Sequence, residues 1–210
     1  MAPEPTASVL LLQFARAPAV GRVKTRMMPQ LTAQQACDLH CELVLWTTRQ
    51  LVASRLGDVE LWGTGARGHP LFKQCQELGV AAVSQQEGAD LGERMYGALC
   101  AGLARYDKVI LVGSDCPGLN DAYLKRAVAG LDTVPVVLGP ATDGGYVLIG
   151  VRQVDRALFQ DIAWGSAQVY RQTTDALQGL GMDWLALDTL QDVDRPQDLA
   201  VWEAIKPGTA

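Results

Sequence analysis

KVILVGSDCP, residues 108–117, is the stretch that decides the fold predicted for this chain. Its apolar run, residues 109–112, is rich in β-branched residues, which is typical of a central strand buried on both faces of a parallel sheet. Asp115 follows where the strand ends, and ligands of open α/β sheets bind at that end. Asp115 is therefore predicted either to contact a ligand or a cation such as Mg²⁺ or Mn²⁺, or to cap the next helix or turn.

Length and composition indicate one domain, residues 1–210, with one full-sized core. The net charge of −5 argues against nucleic acid or an anionic membrane surface as a partner. The apolar stretch at residues 9–15 has no Lys or Arg before it and is too short to span a membrane, so we interpret it as a first strand. Five cysteines without a CxxC pair predict ordinary buried thiols in a reducing, cytoplasmic setting.

Alternating strand and helix patterns continue on both sides of this central stretch and predict an α/β protein with a mostly parallel sheet between helices. We predict strands at residues 8–14, 59–62, 80–84, 109–112, 134–138, 146–151 and 184–187, and helices at 32–53, 70–78 and 167–180, with others starting near 91, 120 and 196. Thr32 with Gln35 has capping-box spacing, and Ser166 is the predicted N-cap of the helix at 167–180. Pro135 indicates a strand that starts late or lies at an edge.

A basic loop, ARAPAVGRVKTRMMP at residues 15–29, follows the first strand and contains no acid. Its four cations, Arg16, Arg22, Lys24 and Arg26, predict a phosphate cradle, although a solvated surface turn is the alternative. The loop is not a Walker A motif, because Val23 stands where that motif needs glycine. GTGARG at residues 63–68 matches G-x-G-x-x-G but lacks the strand–turn–helix setting, so we interpret it as a flexible loop.

Three further features are candidates for the site. The turn at Gly139, Asp143, Gly144 and Gly145 favours a loop that approaches substrate over an ordinary hairpin turn. Asp192 and Asp194 precede a helix and would serve either as its cap or as additional metal ligands. Asp90 and Glu93 are explained by a helix start, whereas Arg94 remains as a residue that could face a phosphate.

The combination of these motifs resembles the DUF2064 family. It is carried by FARAPAVGRVKTR (14–26), DLGERM (90–95), GSDCP (113–117), GPATDGGY (139–146), AWGSAQV (163–169) and DVDRPQDL (192–199). The family is a bacterial group of GT-A-fold nucleotide-diphospho-sugar transferases, sometimes described as glycosyltransferases of arsenosugar biosynthesis. It is similar to phospholactate guanylyltransferase and the molybdenum-cofactor nucleotidyltransferases. The resemblance implies a GT-A fold over nearly the whole chain.

The resemblance also implies roles for individual residues. Asp115 stands where GT-A enzymes place the metal-binding acid of their DXD motif. This chain has Ser-Asp-Cys there, so Asp192 or Asp194 would have to complete the metal site. Lys24 and Arg26 fall where related nucleotidyltransferases hold phosphates, and the turn at residues 143–145 matches the acceptor side of the family.

The resulting hypothesis is a Mg²⁺- or Mn²⁺-dependent transferase with a nucleotide or nucleotide-sugar as donor and a small-molecule acceptor. Asp115, Lys24 and Asp143 are the predicted catalytic residues, with Asp143 as general base for a hydroxyl acceptor. The predicted substrate-binding residues are Arg16, Lys24, Thr25, Arg26, Arg94, Ser114, Gly139, Gly144 and Gly145, and the predicted metal ligands are Asp115, Asp194 and Asp192. Glycosyl transfer is favoured, with nucleotidyl transfer and non-catalytic nucleotide binding as the alternatives.

Overall fold

A computed structural model of the protein describes residues 8–28 and 30–206. In these ranges seven strands form one sheet in the order β3-β2-β1-β4-β6-β5-β7. They are β1 (Val9–Arg16), β2 (Asp58–Thr64), β3 (Ala82–Gln85), β4 (Lys108–Val112), β5 (Val136–Pro140), β6 (Tyr146–Val151) and β7 (Trp184–Ala186). β6 is antiparallel to β4 and β5, and the other neighbours are parallel. The predicted α/β class with a mostly parallel sheet is confirmed.

Six α-helices in the described residues cover both faces of the sheet. They are α1 (Ala33–Ser54), α2 (Pro70–Glu77), α3 (Leu91–Leu103), α4 (Asp121–Gly130), α5 (Val169–Gly179) and α6 (Leu199–Ile205), with 3-10 helices at Thr25–Met27, Arg156–Phe159 and Pro196–Asp198. α1, α2 and α4 pack on one face, and α3 and α5 on the other. α6 packs beside α1, where Trp202 meets Trp46 edge to face.

The central strands are buried because their side chains feed both layers. Along β1, Leu10 and Leu12 join the core under α3, whereas Leu11 joins the core under α1. Every residue of β4 is buried, as the apolar run predicted. This two-sided burial leaves the carboxyl ends of the strands as the place where polar side chains can reach solvent together.

The starts of two helices and one strand show which local sequence signals predicted the structure correctly. Thr32 caps α1 through a complete capping box, as predicted. The predicted start of α5 at residue 167 with Ser166 as cap is wrong, because Ser166 Oγ accepts from Gln168 N in a turn and the helix begins at Val169. β5 starts late, after Pro135, and lies between β6 and β7 rather than at an edge.

Two predictions reach beyond the described residues. The basic loop was predicted to end at residue 29, and the single domain was predicted to span residues 1–210, so both include positions that the structure does not describe. Among residues 8–28 and 30–206, no helix is both long enough and apolar enough to cross a membrane.

Candidate active site

Three adjoining cavities form a groove at the carboxyl ends of β1 and β4. A central cavity of about 340 Å³ is lined by Arg16, Arg22, Val23, Lys24, Thr25, Arg26, His40, Asp115 and Asp194. A strand-end cavity of about 220 Å³ shares Arg16, His40 and Asp115 with it and reaches the ends of β1, β2 and β4. A loop-side cavity of about 350 Å³ shares Arg26 and Asp194 and includes Thr142, Asp143, Asp192 and Arg195.

Lys24 lies at the centre of this groove with its side chain buried. Its backbone is left-handed (φ 48°), and the 3-10 helix Thr25–Met27 begins directly after it. Its Nζ donates to the carbonyl of Val193 (2.6 Å) and lies 2.8 Å from Asp115 Oδ1 and 3.8 Å from Asp194 Oδ1. Left-handed backbone is costly for lysine, and such strain concentrates at functional sites.

Asp115 and Asp194 meet because the chain segment before α6 returns to the end of β4. The amide of Val193 donates to the carbonyl of Asp115 (2.8 Å), which holds this segment beside the strand. Arg26 Nη1 then donates to Asp194 Oδ2 (2.6 Å). The structure thus brings together Lys24, Arg26, Asp115 and Asp194, which the sequence had placed in three separate motifs.

Asp192 lies on the loop-side cavity near other carboxylates. Burial, and then the negative charges of Asp115 and Asp143, raise the pKa of Asp192 to about 7, against a smaller opposing effect of Lys24. Burial is the largest cause of this shift, and repulsion between Asp192 and the other two carboxylates adds to it. A bound cation would relieve this repulsion.

The donor set fits a cation that takes part of its ligands from a substrate. In the described residues no group of three or more His, Cys, Asp or Glu side chains is arranged as a ready metal site. However, Mg²⁺ is commonly held by one or two carboxylates, with substrate phosphates and waters completing its shell. Asp115 Oδ1 is buried and accepts no hydrogen bond from the described residues, although it lies near the Lys24 ammonium. Asp115 with Asp192 or Asp194 therefore suits such a cation.

Thr25 and Asp143 are exposed on the groove, and Arg16 lines two of its cavities. Arg94, in contrast, is not among the residues that line these cavities, and its Nε donates to the carbonyl of Gly88 (3.0 Å). Ser114 is buried, and its hydroxyl donates to the carbonyl of Phe14 (2.7 Å). Ser114 thus lines the strand-end cavity with its hydroxyl already bonded within the fold, whereas Arg94 lies outside the groove.

Close packing accounts for the presence of glycine at positions 139 and 144. A Cβ at Gly139 would press on the hydroxyl of Tyr123, and a Cβ at Gly144 would collide with the carbonyl of Ala167. Gly144 also has a positive φ of 90°, which favours glycine. The Gly145 amide donates to Asp143 Oδ1 (2.9 Å) and so orients that carboxylate toward one side of the turn.

His40 and Gln86 line the groove but were not predicted as site residues. His40 Nε2 lies 2.9 Å from the carbonyl of Arg16, and burial lowers the pKa of the imidazole. Helical spacing contained a signal for His40, because it lies three residues after Cys37 and four before Val44, both of which are buried. No comparable local signal identifies Gln86, whose position depends on how β2 and β3 pair.

Comparison with known proteins identifies the family of the chain and a solved structure similar to it. Residues 47–166 match the family model described as "Uncharacterized protein conserved in bacteria (DUF2064)". A crystal structure from Desulfovibrio desulfuricans G20, provisionally described as a nucleotide-diphospho-sugar transferase, is 30% identical with a TM-score of 0.86, covering 97% of this chain and 90% of that one. No curated protein matches the sequence.

More distant solved structures share the fold. The inositol-1-phosphate CTP transferase from T. maritima is 17% identical, with a TM-score of 0.62 and coverage of 98% of this chain and 99% of that one. Glucosyl-3-phosphoglycerate synthase from Mycobacterium tuberculosis, in complex with Mg²⁺ and UDP, is 13% identical, with a TM-score of 0.57 and coverage of 92% and 74%. The predicted GT-A fold is confirmed.

Proposed function

The chain belongs to the DUF2064 family, and from the groove described above we propose that it transfers a sugar from a nucleotide-diphospho-sugar to a small acceptor with Mg²⁺ or Mn²⁺. The protein is a transferase of the GT-A fold. The observation that carries the proposal is the buried Lys24 ammonium beside Asp115 and Asp194 at the carboxyl end of the sheet. A diphosphate and its cation need such paired positive and negative groups.

The donor would occupy the strand-end and central cavities. Arg16, Arg22, Lys24 and Arg26 converge there and would offset the charge of the diphosphate, and the exposed Thr25 would donate a hydrogen bond to it. The base would lie near the end of β1. Support comes from the M. tuberculosis synthase of the same fold, whose structure contains UDP and Mg²⁺.

Asp115, with Asp192 or Asp194, would hold the divalent cation. The cation would supply positive charge against the diphosphate as the donor bond breaks. The Lys24 ammonium would also stabilise the negative charge of the diphosphate, because it is fixed in place before the substrate arrives. Preorganised charge of this kind is the main contribution that a protein makes to such transfers.

The acceptor would occupy the loop-side cavity, where acids outnumber cations. Asp143, Asp192, Asp194 and Asp198 line it together with Arg26 and Arg195. This excess of negative charge favours an acceptor hydroxyl over an acceptor phosphate, and therefore glycosyl over nucleotidyl transfer. Asp143, held by the Gly145 amide, would accept the hydroxyl proton as general base.

Nucleotidyl transfer is the second candidate, because the basic loop also suits a nucleoside triphosphate and two neighbours of the fold are CTP-dependent or CTP-bound. Product analysis separates the two reactions. Glycosyl transfer releases a nucleoside diphosphate, whereas nucleotidyl transfer releases pyrophosphate.

A cytoplasmic setting remains part of the proposal and is supported by the five free cysteines.

The first test is a panel of nucleotide-sugars and nucleoside triphosphates, each with and without Mg²⁺ or Mn²⁺, monitored by thermal shift and by the product released. Asp115→Asn should abolish metal-dependent binding while the fold remains, and the exposed Asp121→Asn is the control. Metal-independent binding without turnover would instead support the non-catalytic alternative. No shift with any nucleotide would contradict the proposal.

A further inference from the structure

Gln86 lies directly after β3 and lines the strand-end cavity together with Asp115 and His40. Its amide nitrogen in the main chain donates to the carbonyl of Gly63 (2.9 Å), which continues the pairing of β3 with β2. The residue is therefore fixed to the sheet, and its side chain extends toward the ends of β1 and β2. This is the part of the groove that the base would occupy.

The orientation of the Gln86 side-chain amide is determined by its partners. Nε2 donates to the carbonyl of Trp62 (2.8 Å) and, more weakly, to the carbonyl of Ala15 (3.4 Å). Both partners are acceptors, so the oxygen cannot exchange places with the nitrogen. Oε1 is consequently the free end of the amide.

This oxygen is available to a ligand. Within the described ranges, no group of the protein donates to Gln86 Oε1, and the atom is not one of the side-chain oxygens sealed from solvent. Once a base excludes water from the cavity, an acceptor left without a donor costs binding free energy. The base must therefore bring a donor.

We propose that Gln86 selects the base of the donor by accepting a hydrogen bond from an exocyclic amine, so that the nucleotide carries cytosine, adenine or guanine rather than uracil. The inference rests on the proposed function, because it assumes that a nucleotide occupies the groove. An exocyclic amine projects from the edge of the ring, so that one of its N–H groups can donate to Oε1. In uracil the N3–H lies between two carbonyl oxygens, which would be brought close to the same acceptor.

Matched nucleotide pairs test the inference directly. CDP and UDP differ where an amine replaces a carbonyl oxygen, as do ADP and IDP, and GDP differs from IDP by one amine. Dissociation constants are measured by calorimetry with Mg²⁺ present, and inorganic pyrophosphate reports the phosphate half of the site. We expect the amine member of one pair to bind at least about tenfold more tightly than its partner, as one base contact allows.

Gln86→Met should reduce this ratio to about twofold or less by weakening the amine member alone, leaving pyrophosphate binding unchanged. Gln86→Asn, whose amide is one methylene shorter, should do the same if the Met variant does not fold. Gln85→Met is the matched control, because Gln85 lines a different cavity beside Trp62 and should preserve the wild-type ratio.

Two results would overturn the inference while leaving the transferase proposal intact. One is a wild-type protein that binds UDP and IDP as tightly as their amine partners. The other is an amine preference that survives in a folded Gln86 variant. If neither nucleotides nor pyrophosphate bind, the proposed function fails and the inference fails with it.

Discussion

The ammonium of Lys24 is fixed by three oxygen-bearing partners that come from distant parts of the chain. It donates to the Val193 carbonyl and lies beside Asp115 and Asp194, so it joins the basic loop, the end of β4 and the segment before α6. Its burial removes water that would otherwise screen the charge. The same geometry that stabilises the loop therefore preorganises a cation for phosphate.

Lys24→Met should lower both donor binding and stability. The variant leaves the buried Oδ1 of Asp115 without its cation. Because the Asp115 side chain as a whole is 45% exposed, we expect the free energy of unfolding to fall by about 1–3 kcal/mol, less than for a fully buried pair. Donor affinity should fall at least about tenfold. Urea unfolding and calorimetry measure the two effects.

Lys125→Met is the matched control for this prediction, because Lys125 forms an exposed i,i+4 pair with Asp121. Its stability should change by less than about 0.5 kcal/mol, and its donor affinity should not change. Equal effects from both variants would argue against a special role for the Lys24 site.

His40 predicts a pH dependence of stability. Burial lowers the pKa of the folded-state imidazole below the usual 6.5, so the unfolded chain binds more protons as the pH falls through that value. The contribution of neutral His40 to the free energy of unfolding is therefore fully present above pH 6.5 and is lost as the pH falls below that value. The stability difference between wild type and His40→Gln, measured by urea unfolding from pH 5 to 8, should shrink toward acid pH. A difference independent of pH would contradict this assignment.

Among the elements, the turn between β5 and β6 needs glycine for a structural reason. The sequence pattern had instead favoured the approach of substrate as the role of these glycines. Gly144 has a φ of 90°, and its carbonyl accepts from the Tyr170 amide at the start of α5 (2.9 Å). Asp143 caps the same turn through the Gly145 amide. The glycines therefore let the turn pack against the segment before α5, and this packing positions Asp143 on the loop-side cavity.

Gly144→Ala should be strongly destabilising, by about 2 kcal/mol or more, because it combines a positive φ with a collision against the Ala167 carbonyl. Gly179→Ala, at the end of α5, meets no heavy atom within 4 Å and should be neutral or stabilising by up to about 1 kcal/mol. Thermal and urea unfolding compare the two. A stable but inactive Gly144→Ala protein would favour direct substrate contact instead.

Element type was predictable where it depends on local patterns. The apolar run of β4 and the capping box at Thr32 both contain their own signal, and both were confirmed. The start of α5 was not predictable from Ser166, because the first turn of the helix is tied through the Tyr170 amide to the carbonyl of Gly144, more than twenty residues earlier. Cap residues compete locally, and tertiary contacts decide among them.

At the scale of the molecule, the sequence predicted which motifs share an edge of the sheet but not how their side chains are arranged. Asp115, Lys24 and Asp194 follow from the rule that sites gather at strand ends. Arg94 and Ser114 follow the same rule, yet Arg94 Nε and the Ser114 hydroxyl donate to main-chain carbonyls of the fold. Motif position alone does not reveal whether a polar group already has a partner, and this information comes only from packing.

Charge is distributed unevenly over the whole molecule, and this predicts a salt dependence. The chain carries a net charge of −5, yet four cations converge on the central cavity. The field of this cluster should attract a diphosphate against the overall charge, and dissolved salt should screen it. We expect the affinity for inorganic pyrophosphate to fall at least about threefold between 0.05 and 0.5 M NaCl, because the Debye length shortens over this range.

Arg22→Gln should lower this affinity at low salt and reduce its salt dependence, since one screened attraction is removed from the groove. Arg49→Gln removes the same charge from an exposed position on α1 that does not line the groove, so it is the control for net charge alone. If the two variants behave alike, the overall charge governs binding and the groove does not. If Arg22→Gln alone changes the salt dependence, the phosphate contacts lie in the central cavity, because the field of a groove cation acts mainly within a Debye length.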